Sequence, residues 1–450
     1  MTTRVDKLPH VPLTGADCFL RAFDDEIRRK AGANHVSQLV LRLGPGFDVE
    51  LFQKLIDQIA HAQPIVRAPI GRRFAVGAPA YRLKAASRCA RPRIHVVDAD
   101  SPPVPDSKLP DLFAKHLNEP MSAGRGELLR FDIVRYAGGA AGSDLAASWL
   151  HMLFDGSGSE IFIGWLDACF RGASSPEALP CPDELAPAAP PHQTLRERGD
   201  GARAWQSWLK GFNAHPPHSL AGPLRRTRQA LHYARLQLST EQTARTVEAA
   251  KERAGFLTPT LFYLAAAIRA HHAVFRARGT DPGSYVVPMA VDLRPKGAAK
   301  AMFRTHVSLV WFQALPEDLD EFDRLIGVLK QQRLAAIKTG QVEKAVHAMD
   351  FARFAPKRLD AHMSRSSFRG ELCSFFFAFT GDFLAGVDHF LGAEIRDGFH
   401  VAPVPPSPGS CVAVSLRGGR LSATHTYQTG VFSALELEIF REQFHSDLQG

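Results

Sequence analysis

The sequence lacks the marks of several functional classes. Its six cysteines, Cys18, Cys89, Cys169, Cys181, Cys373 and Cys411, are scattered over 450 residues with no C-x-x-C pair. That spacing excludes a disulfide framework and a cysteine-built zinc cluster, and reduced thiols are expected. No run of about 18 uninterrupted apolar residues occurs, so no integral membrane segment is expected. The N-terminal "MTTRVDKLPHVPLTGADCF" carries charges and prolines without an apolar signal-peptide core, and a cytoplasmic protein is expected. "LGPGFD" has too few glycines for a dinucleotide-binding loop, and "DGSGSE" does not match the G-x-S-x-G of a serine hydrolase. Repeats of solenoid period are absent as well.

With 45% hydrophobic and 22% charged residues, the chain has the makings of two domains, each burying its own core. The net charge of +8 is spread over short clusters, "PIVRAPIGRR", "PLRRTR" and "RPKGAAK", without interleaved aromatics. Nucleic acid is therefore not an expected partner, whereas a phosphorylated cosubstrate or an acidic carrier protein suits the sign. The clearest seam is the Pro/Ala-rich run within 172–203. It divides an N-terminal domain, 1–171, from a C-terminal domain, 204–450.

In the first half, "HVSQLVLRLG" alternates like a strand and "DVELFQKLIDQIAHAQ" has helical spacing. "ELLRFDIVRYA" and "DLAASWLHMLF" flank "GGAAGSD" and predict a hairpin that carries His151 to its end. Asp155-Gly156 then makes a turn, and Ser157 with Glu160 has the S-x-x-E spacing of a capping box for the helix "GSEIFIGWLDACF". The second half mixes five helical segments with the strands "SYVVPMAVDL", "THVSLVWFQAL", "CSFFFAFT", "CVAVSLR" and "RLSATHTYQ". This alternation predicts two mixed α/β layers rather than a bundle or barrel.

"HMLFDG", His151 to Gly156, is H-x-x-x-D-G, and with it the chain resembles the chloramphenicol acetyltransferase-like superfamily. That group includes carnitine and plant BAHD acyltransferases, wax ester synthases and the condensation domains of nonribosomal peptide synthetases. "VPLTGADCFL" is similar to the P-L-S-x-x-D-x-x-F opening of wax-synthase-type members. "GFLTPTLFYLAAAIRAHHAVF" resembles the helix that opens their second domain, and "YVVPMAVDLRP" the strand ending in an arginine. There are departures. Leu150 replaces the first of two histidines usual in condensation domains and wax synthases, and "DFLAG", Asp382 to Gly386, shares only two residues with the BAHD D-F-G-W-G. "FRTHVSL" stands where a Gly-Asn pair is common. The resemblance thus spans most of the chain in element order without assigning a subfamily.

The resemblance implies two chloramphenicol-acetyltransferase-like mixed α/β sandwich domains with an interdomain tunnel. It implies acyl transfer from an acyl-CoA or acyl carrier protein thioester, used as cosubstrate with no permanently bound cofactor, to a small-molecule or lipid alcohol or amine. A monomer is expected. Deprotonating the acceptor as it attacks suits an imidazole, whose ordinary pKa lies near 6.5, so His151 is the candidate base. The family pattern gives Asp155 a structural part, paired with an arginine of the second domain at the position of Arg294, while Gly156 allows close backbone approach. The oxyanion donor stays open among Thr380, Ser308 and Trp311. "CSFFFAFTGDF" and "MDFARFAP" are candidates to line an apolar channel. Two other classes remain: a condensation-type ester or amide synthase acting on carrier-bound substrates, and a non-catalytic binding protein. A metal site at His151 and Asp155 lacks a third ligand of recognisable spacing, so none is expected.

Overall fold

The computed structural model describes residues 10–450 apart from 33, 73–76, 103–109, 186–193, 222–229, 296–299, 357–370 and 406. Two six-stranded mixed sheets organise them. The first has the order β12-β13-β2-β7-β6-β5, with β2 at Val36–Leu43, β5 at Arg93–Ala99, β6 at Leu129–Tyr136, β7 at Ser143–Leu150, β12 at His389–Phe390 and β13 at Ala393–Val401. The second has the order β10-β9-β11-β14-β15-β8. Its strands are β8 at Leu231–Gln237, β9 at Tyr285–Asp292, β10 at Val307–Ala314, β11 at Phe376–Asp382, β14 at Ser410–Arg417 and β15 at Arg420–Gln428. A small third sheet joins β1 (Val11–Pro12), β4 (Ala80–Tyr81) and β3 (Ile70–Gly71).

Central strands of the first sheet are covered on both faces: every residue of β7 is buried, which explains its small and apolar composition. The helix α2 (Val49–Ala62) buries Phe52, Leu55, Ile56 and Ile59, one face at helical spacing, and Asp48 caps its start by accepting from Leu51 N–H at 3.0 Å. In the second half α7 (Thr260–Ala277) is buried almost all round, from Leu261 to Phe275, against the second sheet. Each sheet therefore has its own large apolar core. A smaller third cluster joins Phe23 and Ile27 of α1 (Gly15–Ala31) and Leu209 of α5 (Leu195–Gly211) to Val286 and Trp311 of the second sheet.

Two elements cross the seam drawn from composition. The helix α5 begins inside 172–203, capped by Thr194 and Glu197 in a capping box. The strand β13 lies beyond residue 204 yet pairs antiparallel with β2, Phe399 opposite Val40 and Val401 opposite Gln38. The Arg235 guanidinium of β8 bonds Asp397 of β13 at 2.9 Å and fastens this crossing strand to the second sheet. No helix among the described residues is long and apolar enough to cross a membrane.

Candidate active site

The hairpin of β6 and β7 delivers the chain to His151, one residue past the last β7 pairing of Leu150 with Val36. From there four successive backbone carbonyls are each held by a donor. His151 O accepts from Thr305 Oγ1 at 3.2 Å, Met152 O from Tyr81 Oη at 2.6 Å, and Leu153 O from Arg304 N–H at 2.7 Å. Phe154 O accepts from Trp149 Nε1 at 2.9 Å and lies 3.1 Å from His151 Nδ1. A carbonyl can only accept, so Nδ1 carries the proton and Nε2 keeps its lone pair. Burial holds the His151 pKa below its ordinary value, so the ring is neutral at neutral pH.

Asp155 turns from the histidine and accepts four hydrogen bonds. Arg294 donates two, at 2.9 and 3.0 Å, and the backbone N–H groups of Gly158 and His306 donate at 2.8 Å each. Both partners of the ion pair are buried. Burial opposes ionisation of Asp155, but the Arg294 guanidinium prevails and holds the carboxyl below the usual range. The second-sheet side of the pair is itself anchored by Ala301 O, which accepts from Arg294 Nε at 2.7 Å.

The helix α4 (Gly156–Phe170) is capped by Asp155, not by a Ser157–Glu160 box. The S-x-x-E spacing is present, but Asp155 reaches Gly158 N–H first and starts the helix two residues earlier. Glu160 points elsewhere. It accepts Leu384 N–H at 2.7 Å and lies 3.8 Å from His400 Nδ1, and burial pushes its pKa up to about 8. Ser159 Oγ donates to Gly156 O at 2.7 Å and lies 3.0 Å from His400 Nε2. Its one hydrogen being spent, it accepts from His400. Burial lowers the His400 pKa to about 4, so at neutral pH both Glu160 and His400 are uncharged.

The first sheet supplies a second ring at the site: His35 stacks on His151 with centroids 5.7 Å apart. Leu150, which stands directly before His151, is fully buried in the core. A Cβ at Gly156 would only meet His400 and Thr380 at 3.8 Å, so close packing does not require that glycine. Gly158 is the tight position, because a Cβ there would lie 2.4 Å from Met302 O. Of the three oxyanion candidates, Ser308 Oγ is engaged with Val342 O at 2.8 Å, and Trp311 lines an apolar cavity with Trp205 and Phe351. Thr380 Oγ1 is buried beside Gly156 without a hydrogen-bond partner.

His151 opens on a cavity of about 140 Å³ between the sheets, walled by His35 and Thr305 and by Pro288, Ala290, Phe376 and Phe377 of the second sheet. Two further cavities share its walls. An apolar one of about 180 Å³ adjoins through Phe19, Leu309 and Met349, and one of about 330 Å³ with three arginines in its wall through Ala16, Thr305, Val307 and Met349. Among the described residues, the group able to surround a metal ion is His95, His116 and Asp132, on β5, α3 (Asp111–Leu117) and β6 respectively, at the edge of the first sheet. His116 Nδ1 already lies 2.5 Å from Asp132 Oδ1. None of the three lines the cavity at His151.

No protein-family model matches the chain, and no curated protein matches it in sequence. Solved structures do match in shape. The first condensation domain of the CDA synthetase aligns with a TM-score of 0.65 at 14% identity, covering 98% of this chain and 95% of that one. A trichothecene 15-O-acetyltransferase from Fusarium sporotrichioides aligns at 0.66 and 13% identity, covering 97% and 95%. The starter condensation domain of rhizomide synthetase, solved as a mutant with C8-CoA, aligns at 0.66 and 12% identity, covering 98% and 94%. The chain thus has, over nearly its full length, the chloramphenicol acetyltransferase-like fold of condensation domains and acetyltransferases.

Proposed function

We propose that this protein transfers an acyl group from a CoA or carrier-protein thioester to an alcohol or amine, with His151 as general base. The observation that carries the reading is the setting of His151: its Nδ1 lies 3.1 Å from Phe154 O, which leaves Nε2 as the basic nitrogen of a neutral ring, and the residue lines a cavity walled by both sheets. In the reaction Nε2 takes the proton of the acceptor O–H or N–H as the oxygen or nitrogen bonds to the thioester carbonyl carbon. The C–S bond then breaks, and the imidazolium returns the proton to the departing sulfur to give a free thiol.

Charge developing on the carbonyl oxygen needs a donor, and the candidate is the Thr380 hydroxyl, which has no hydrogen-bond partner among the described residues and stands beside Gly156, outside the residues that line the cavity at His151. Asp155 and Arg294 act as positioning residues, since their charges are spent on each other. The apolar cavity, with Trp205, Trp311 and Phe351 in its wall, suits the hydrocarbon of the acyl group. Two fold neighbours support the reading, one an acetyltransferase and one a condensation domain solved in complex with C8-CoA.

The test is release of free thiol from a panel of acyl-CoAs and acyl carrier proteins with alcohols and amines. The wild type is expected to release thiol with at least one pair, and His151→Ala to lose that rate by about 10²- to 10⁴-fold. A wild type silent across the panel, beside an active relative, would point instead to a binding protein.

A further inference from the structure

The larger cavity that adjoins the one at His151 has Arg198, Arg304 and Arg353 in its wall against a single carboxylate, Asp350. Arg198 is 5% exposed, yet among the described residues its side chain has no ion pair or hydrogen bond. Arg304 and Arg353 each keep a buried Nε without a hydrogen-bond partner. Asp350 cannot neutralise the three. It lies 4.0 Å from Arg353 and is engaged by Gly15 N–H at 3.1 Å. His306, also in the wall, bonds Phe303 O through Nε2, and its pKa is held down by burial, so it stays neutral.

The carboxylates behind Arg304, Asp17 and Glu184, offset part of its charge, Asp17 being mostly and Glu184 about half ionised at neutral pH, but neither pairs with Arg198. Burial raises the pKa of Asp17 to about 6 and that of Glu184 to about 7, and each already accepts backbone N–H groups, of Thr305 and of Met302 respectively. A buried guanidinium without a counter-ion is costly and persists where a ligand supplies the missing charge. Arginine's planar fork matches carboxylate and phosphate oxygens.

We infer that this cavity holds a carboxylate or phosphate carried by the acyl acceptor, so that the acceptor is an acidic alcohol or amine. The inference rests on the acyl-transfer reading for the word acceptor, but the anion site itself does not. Thr305, in the wall of both cavities, also bonds the His151 carbonyl at 3.2 Å. The anion chamber thus shares a wall with the cavity of the base, so that one small molecule carrying both a nucleophile and an acidic group can span the two. The phosphate of a pantetheine arm is the other source of the same chemistry, but it sits at the far end of that arm from the reacting sulfur. The three cavities then divide the work: hydrocarbon in the apolar one, reacting atoms at His151, and the acidic group against Arg198.

Calorimetric titration tests this on the intact protein with glycolate, 3-hydroxybutyrate, 3-hydroxybenzoate and 4-aminobutyrate, each beside its primary amide, and with phosphopantetheine beside pantetheine. At least one acid is expected to bind roughly ten- to a hundredfold tighter than its amide, a preference lost in Arg198→Gln. The same preference is expected in His151→Ala, which separates a failure of this inference from a failure of the catalytic reading. Acids that bind no better than their amides, or a preference that survives Arg198→Gln, would overturn it. If the lost preference is that for phosphopantetheine over pantetheine, the anion belongs to the donor and the acceptor assignment falls. Melting supplies an independent readout. With no partner to lose, Arg198→Leu is expected to melt no lower than the wild type, and a lowered Tm would show a structural role and overturn the proposal.

Discussion

Replacing Asp155 by alanine is expected to destabilise the protein more than any other single change in the loop. The substitution removes the carboxylate from an ion pair whose side chains are only 2% and 3% exposed, and it removes the cap of α4. Stranding one charge of a buried pair costs about 3–5 kcal/mol, and losing an N-cap about 1 kcal/mol. Arg294 still has the half-exposed Asp292 at 3.1 Å and Ala301 O at 2.7 Å, which favours the lower end, so about 4 kcal/mol in total is expected. That is a large share of the ordinary stability of a domain. Asp155→Asn keeps one acceptor oxygen, which can serve the Gly158 N–H that caps α4 but not also the His306 N–H on the other carboxylate oxygen, and so separates the charge from the cap. The double variant Asp155→Ala with Arg294→Leu should recover part of the loss, since no charge is then stranded. Urea unfolding followed by tryptophan fluorescence measures each, alongside thiol release on the same preparations. If Asp155→Ala unfolds within about 1 kcal/mol of the wild type and the double variant recovers nothing, the pair does not hold the loop.

Two further substitutions probe the site's other groups. Thr380→Val removes a hydroxyl that has no protein partner; melting should be unchanged while kcat falls about 10²-fold, and unchanged kcat would exclude Thr380 as the oxyanion donor. Glu160, with its pKa raised by burial to about 8 from an ordinary 4.5, holds a proton more tightly folded than unfolded. Its contribution is full below about pH 4.5 and lost as pH rises through about 8. Stability should therefore fall over that window, and Glu160→Gln should flatten the fall by a few kcal/mol. An identical pH dependence in wild type and variant would refute the burial argument.

What the sequence revealed and what it hid follow from the range of the interactions concerned. The β6–β7 hairpin and the turn after His151 are local patterns, and they read directly from alternation and Asp-Gly. Helix α5 was hidden by its neighbours and its glycines. A Pro/Ala run precedes it, and Gly199 and Gly201 lower helical propensity. Gly201 is there because α9 (Gln341–Ala352) packs so close that a Cβ would stand 2.7 Å from His347 Nδ1. Arg198, being on that helix, was unreadable as a site residue, although Thr194 and Glu197 spelled its cap. Strand β13 offered no local signal for its partner, since its pairing with β2 joins residues more than three hundred positions apart. His400 came to the site on that strand, and His35 on β2's leading edge, so neither had a spacing to betray it.

The central claim is that a neutral His151 removes the acceptor's proton, and the pH profile of kcat/KM for thiol release, in wild type and His151→Ala, tests it most directly. Burial lowers the pKa of His151, so the wild-type rate should be level through neutral pH and fall tenfold per unit only on an acid limb whose midpoint lies below about 6.5. His151→Ala should be slower by orders of magnitude and lack that limb. A His151→Ala protein that keeps the wild-type rate and the same acid limb would contradict the account.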